Sequence, residues 1–167
     1  MKARGTRGVA RPPGHDHDSA RVHRRVVEIG NAALRTLNAT AVEVIPAPGV
    51  GLYLDPFSFA VRLLYTAPAF DGVGANDSLV LRFTNAAGAM ISTPVVSTGF
   101  GDAASDQVRC GLVGIASGAG GPVAYTPVEN SPIVAHILTG EWYVAAGGSS
   151  LIFEILYRVR PYLWRRE

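Results

Sequence analysis

Lysine, cysteine and charge are all scarce in this chain of 167 residues. Its one lysine is Lys2, so no P-loop lysine, Ser-x-x-Lys pair or Schiff-base lysine in a core is available. The single cysteine, Cys110, excludes a disulfide framework within one chain and any multi-cysteine metal site. Charged residues make up 17%, against about a quarter in an average domain. No apolar run reaches the roughly 18 residues of a spanning helix, and the basic N-terminus lacks the apolar h-region of a secretory signal. Neither a membrane span nor secretion is therefore expected. What is present is a 48% hydrophobic composition with 19 glycines and 11 prolines, which excludes a coiled coil and excludes disorder over most of the chain. The length suits one domain with a real core.

The charge is unevenly placed. Residues 1–25 carry seven basic side chains (Lys2, Arg4, Arg7, Arg11, Arg21, Arg24 and Arg25) against Asp16 and Asp18, a net of +5. Residues 26–157 hold four arginines against ten acids, a net of −6, and residues 158–167 return to +3. The division is a flexible basic arm over residues 1–24 and a mildly acidic domain over 25–167. Basic arms attract acidic protein surfaces or nucleic acid. This arm has no aromatic residue to stack on bases and the body is net negative, so nucleic acid is not the expected partner. These seven basic residues, six in the arm and Arg25 directly after it, are the candidate partner contacts.

Along the body the periodicity is mostly two, the signature of half-buried strands. Strands are expected near 26–29, 41–45, 53–65, 79–83, 90–96, 107–115, 133–138 and 151–160. Asn31 is placed as the N-cap of one short helix over 32–37, and 118–122 reads as a loop. From Tyr53 to Tyr65 the odd positions form one aromatic and apolar face. The expected core is Val42, Val44, Phe57, Phe59, Leu63, Leu79, Leu81, Phe83, Phe153, Ile155 and Tyr157. About eight strands with turn residues between them predict an all-β single domain, a β-sandwich or jelly roll with one short helix.

The chemistry-bearing residues form no catalytic motif. Ser117 lies in Gly114-Ile115-Ala116-Ser117-Gly118, which has the wrong spacing for a nucleophile elbow. Gly49-Val50-Gly51 precedes a strand rather than a helix and is no dinucleotide fingerprint. His15-Asp16-His17-Asp18, with His23 nearby, sits in the arm without the fixed geometry a metal site needs and reads as a solvated stretch. His136 lies among apolar neighbours on a strand and reads as a hydrogen-bonded structural histidine. Cys110 reads as a small buried hydrophobe. No catalytic residue, cofactor or metal is expected, and the chain is not expected to be an enzyme.

The segment Leu37-Asn38-Ala39-Thr40-Ala41-Val42-Glu43-Val44-Ile45-Pro46-Ala47-Pro48-Gly49-Val50-Gly51 resembles a phrase of small virion proteins of tailed bacteriophages. In those proteins a short helix ends in Leu-Asn-x-Thr-Pro and leads to a strand and a Pro-Ala-Pro-Gly-x-Gly turn. An aromatic-rich strand ending in Tyr65, the strand from Leu79 to Phe83, Asn130-Ser131-Pro132-Ile133 before a strand, and a final strand through Tyr157-Arg158-Val159 are similar too. The pattern departs at Ala41, where proline is expected, and at Leu52, where lysine is common. The resemblance spans about residues 26–163 and implies a capsid decoration or cement protein on the head surface, with a sandwich or jelly-roll body. It further implies that the partners are the major capsid protein or neighbouring virion subunits, and that the chain forms a homo-oligomer, a trimer at a local three-fold axis. Three other readings stand beside it: a tail, neck or head-spike component, a carbohydrate-binding β-sandwich, and nucleic-acid binding through the arm.

Overall fold

The computed structural model describes residues 21–74, 76–113, 115–116, 122–123, 125–142 and 148–162. Among the described residues, nine strands and one short helix follow in the order β1 (His23–Ile29), α1 (Asn31–Leu34), β2 (Val42–Ile45), β3 (Leu52–Leu64), β4 (Leu79–Phe83), β5 (Gln107–Leu112), β6 (Ile115–Ala116), β7 (Pro122–Val123), β8 (Ile133–Ile137) and β9 (Ser150–Pro161). They form an antiparallel four-stranded sheet, β1-β9-β3-β5, and an antiparallel three-stranded sheet, β2-β8-β4, with β6 and β7 as a separate pair. This is the expected all-β sandwich. Its core lies between the two sheets, where Phe59, Val61, Leu63, Leu151, Phe153 and Ile155 meet Val44, Leu79, Leu81, Phe83, Ile133 and Ile137. All five residues of β8 are buried, because β8 is the middle strand of its sheet and is covered on both faces.

One long strand departs from simple alternation. The register of β3 on β9 shifts between Pro56 and Ser58, and Phe57 is the extra residue of a bulge. Leu54 and Pro56 point inward before the bulge, and Phe59, Val61 and Leu63 do so after it. The parity of the inward face therefore flips in mid-strand. Phe57, expected in the core, is 38% exposed, with the Arg158 guanidinium over its ring at 4.8 Å. The other expected core residues are buried, or, for Val42 and Tyr157, half-buried against the core.

Three further expectations are corrected. The helix is a single turn whose N-cap is Gly30: the Gly30 carbonyl accepts the N–H groups of Ala33 and Leu34, and Asn31 is already helical. Residues 90–96 form an irregular ribbon instead of a full strand, because Pro94 has no N–H and the Ser92 hydroxyl stands in for a backbone acceptor of Leu81 N–H at 2.9 Å. The ribbon bonds to β4 through Leu79, Leu81 and Val95, and its Thr93 N–H reaches the Leu112 carbonyl of β5 at 2.9 Å, joining the two sheets along one side. The expected strand over 107–115 ends as β5 at Leu112, and Ile115 belongs to the β6–β7 pair instead. The expected loop over 118–122 overlaps β7 at Pro122; its residues 118–121 lie outside the described ones.

Candidate interaction surface

The antiparallel pairing places both basic termini at one end of the sandwich. β1 starts where β9 finishes, with His23 opposite Tyr157, and β3 starts at Leu52 opposite Pro161. Arg21, Arg24, Arg25, Arg158 and Arg160 all lie toward this end. The Pro46-to-Gly51 turn closes it. Gly49 and Gly51 have φ of +107° and +79°, the left-handed region open to glycine. The Gly49 N–H donates to Asn130 Oδ1 at 3.0 Å and the Gly51 N–H to Glu129 Oε1 at 2.7 Å. Asn130 N–H in turn donates to the Leu52 carbonyl at 2.8 Å. Two segments distant in sequence, the Pro46-to-Gly51 turn and Asn130-Ser131-Pro132, are thus one structural unit. Val50 stands at its tip, 85% exposed.

Behind the turn, Asp55 accepts a hydrogen bond from Tyr125 Oη at 3.0 Å and an ion-paired one from Arg160 Nε. Burial, then the Asp55 charge, raises the Tyr125 pKa well above its ordinary value. Tyr125 also packs on Phe83 with ring centroids 5.5 Å apart, so this polar cluster is anchored in the core.

The opposite end is acidic. Asp71, Asp102 and Asp106 are exposed and Glu141 half-exposed there. Their loops are gathered by Trp142, whose ring centroid lies 5.3 Å from that of Phe70 and 6.4 Å from that of Phe100. Among the described residues the ion pairs are Arg24–Glu154 and Arg160–Asp55, so these four carboxylates are unpaired.

The outer face of the four-stranded sheet joins the two ends. Strand registers fix it as three rows of four residues, running across β1, β9, β3 and β5. The middle row is Val26, Glu154, Ala60 and Cys110. The row toward the basic end is Arg24, Leu156, Ser58 and Leu112, and the row toward the acidic end is Glu28, Ile152, Arg62 and Val108. Val26, Val108 and Leu112 are 47%, 52% and 74% exposed. The small Ala60 leaves a shallow depression of about 220 Å³ between Arg24, Arg62 and the apolar side chains around it. The face is mixed: exposed apolar side chains alternate with Arg24, Glu154, Arg62 and Glu28. Arg24 grips Glu154 through both oxygens, at 2.7 and 3.0 Å. That contact holds the Glu154 carboxyl below its usual range and raises the Arg24 pKa. Both groups are open to solvent, so the pair orients side chains and adds little stability.

Of the seven basic residues read as contacts, Lys2, Arg4, Arg7 and Arg11 lie outside the described residues, as do His15, Asp16, His17 and Asp18. Arg21 is exposed ahead of β1. Arg24 and His23 lie within β1, two residues inside the arm boundary set at residue 24. Arg25 has core-side parity, opposite Ile155, yet is exposed at the sandwich margin. The His23 ring stacks on that of Tyr157, with centroids 5.3 Å apart. Cys110 is exposed on the edge strand β5, not buried. The apolar pattern around it belongs to the outer face, since Gly111, its neighbour, is the inward residue beneath the Phe59 ring. The outer face as a surface escapes sequence reading, because Ala60, Leu112 and Val26 come together only through the strand order.

His136 is 6% exposed on the outer side of the three-stranded sheet. Its Nε2 lies 2.9 Å from the Asn38 carbonyl, while the Asn38 amide donates to the Ile137 carbonyl at 2.8 Å. Burial, with Arg82 nearby, lowers its pKa below 6.5. Burial in the folded state therefore favours the neutral ring over the charged one. Stability from this site is expected to be complete above pH ~6.5 and to decline as pH falls through the lower folded-state value. Thermal melts from pH 8 to 5 are expected to show this decline in the native chain and a flatter profile in His136→Gln; equal profiles would remove His136 from the account.

No family model matches the sequence, and no curated protein matches it. Among solved structures the chain is similar to one titled "Cyanophage Pam1 capsid asymmetric unit", at 18% identity and a TM-score of 0.47, over 95% of this chain and 99% of that one.

Proposed function

We propose that the chain is a structural, non-catalytic protein of a tailed-phage virion, and within it a decoration or cement protein of the head. The observation that carries this reading is the concentration of positive charge at one end of the sandwich, with Arg21 and Arg25 exposed where the basic arm joins. The resemblance of the Leu37-to-Gly51 phrase supplies the virion context. A cement protein holds a repeating shell by many weak contacts that add through avidity, and charge gathered at the end of a sandwich suits that task. The arm supplies contacts to acidic surfaces of neighbouring capsid subunits, and these weaken as salt screens them.

The arm is best tested by a deletion that ends at residue 20. Removing residues 1–24 would also cut His23 and Arg24 out of β1 and break the Arg24–Glu154 pair. Deletion of residues 1–20 is expected to leave the melting temperature of the body unchanged. It is expected to lower occupancy on purified heads by roughly tenfold at low salt, and by less as salt rises. Full occupancy by the truncated protein would refute the role given to the arm. Labelling of whole particles separates the head from the tail: a decoration protein gives sites spread over the entire head, and label confined to one vertex or the tail would overturn the head assignment.

A further inference from the structure

We propose that the outer face of the four-stranded sheet is an isologous interface and that its occupant is a second copy of this chain. The inference does not depend on the virion reading. It follows from the arrangement of the three rows.

In an isologous contact the same patch serves both partners, so residue i meets j while j meets i. Consider two copies laid face to face about a two-fold axis that runs across the strands through the middle row. Each strand column then lies over itself, and the two outer rows exchange. Leu156 meets Ile152 of the second copy, and Leu112 meets Val108 of the second copy, twice each by symmetry. Arg24 meets Glu28 of the second copy, again twice. The Glu28 carboxylate is exposed and already accepts the Ser150 hydroxyl at 2.7 Å, which leaves its second oxygen for the guanidinium. Ser58 lies over Arg62 as a polar match. On the axis, Val26 and Ala60 meet their own symmetry mates. The small Ala60 and the depression around it allow close approach at the centre. Glu154 also meets itself, but each carboxylate arrives neutralised by the two-point grip of its own Arg24.

The area sets the strength. Four strands about 4.8 Å apart and some seven residues rising about 3.4 Å each give a face of roughly 450 Å². A stable complex covers about 800 Å² on each partner. The dimer is therefore weak in isolation, with a dissociation constant on the order of 10–100 μM, and gains strength where copies are held side by side.

Cys110 lies on the axis row at the edge column, so it faces Cys110 of the second copy across aligned sheets about 10 Å apart. It is a built-in reporter, since it is the only cysteine of the chain. Sedimentation velocity of the full chain from 1 to about 300 μM is expected to show a reversible monomer–dimer equilibrium. A short bis-maleimide is expected to trap the dimer through Cys110. Ala60→Arg, which places a bulky charge on the axis, and Leu112→Asp, at a site already exposed, are each expected to weaken association at least about tenfold. Neither should shift the thermal melt by more than a few degrees. A monomer at every concentration, a trimer, or a dimer untouched by both substitutions would each overturn the proposal.

Discussion

Gly111→Val is expected to be among the most damaging single changes in this protein. A Cβ built at Gly111 falls 2.0 Å from the Cε1 and Cζ atoms of Phe59, which is 2% exposed and sits in the core. Carbon atoms make contact at about 3.5–4.0 Å, so the ring must leave its place. Loss of a buried phenylalanine from a core removes about 3–5 kcal/mol, and at this chain length that corresponds to roughly 6–20 °C of melting temperature. Gly148→Ala is the matched control, because its nearest neighbour is a Thr66 methyl at 3.4 Å, an ordinary contact. Thermal or urea unfolding of the two variants checks the expectation. A Gly111→Val protein that melts with the control would show that Phe59 has another site to occupy.

Trp142→Ala is expected to have a similar effect at the acidic end. Trp142 is fully buried, tilted against Phe70 and edge-on to Phe100, with Gly101 packed beneath its ring. These contacts join the loops after β3, after β4 and after β8. The alanine variant is expected to lose about 3–5 kcal/mol. Hydrogen exchange should rise first in residues 97–102 and around Phe70. The nearby anchor at Asp77, which is buried and receives the Gly74 N–H and the Thr139 hydroxyl, does not replace it, because those bonds hold the loop margins and fill no core volume. An unchanged melt would mean that the three loops stand without the indole.

The two sites differ in how visible they are from the sequence. Glycine at 111 reads as a turn or bulge residue, since an isolated glycine in a strand weakens it. Its purpose depends on which side chain the paired strand brings over it, and Phe59 lies more than fifty positions away. Trp142 follows a turn and has no periodic context, so nothing local assigns it to a core. The strands themselves were legible, because alternation is a local consequence of the pleat. β9 follows it most closely, whereas β8 is apolar and buried along its whole length. The final strand shows Leu151, Phe153 and Ile155 inward and Glu154 outward, as the pattern of residues requires.

Legibility failed where a partner strand sets the register. The odd-numbered aromatic face of β3 looked continuous from Tyr53 to Tyr65, yet the bulge at Phe57 divides it. A proline inside an alternating run argues for an edge or a bulge, but only the pairing to β9 decides that the extra residue is Phe57 and that its ring turns outward under Arg158. Cys110 moved from core to surface for a related reason. Its apolar neighbours Val108 and Leu112 share its parity, and parity alone does not say which of two faces is covered. The candidate surface was split in the same way. The arginines at the start of β1 were visible as charge, whereas the apolar half of the surface was spread over four strands and had no sequence signature.

The sequence by itself determined the fold class, the positions of most of the longer strands and the separation of basic ends from an acidic body. Each of these is a sum over local composition or a period of two along the chain. Tertiary structure alone decided the strand order, the bulge, the inward glycine beneath Phe59 and the assembly of Val26, Ala60, Cys110 and Leu112 into one face. The physical reason is that hydrogen-bond register between distant strands chooses which face of each strand is buried, and that choice carries no local energy for the sequence to display.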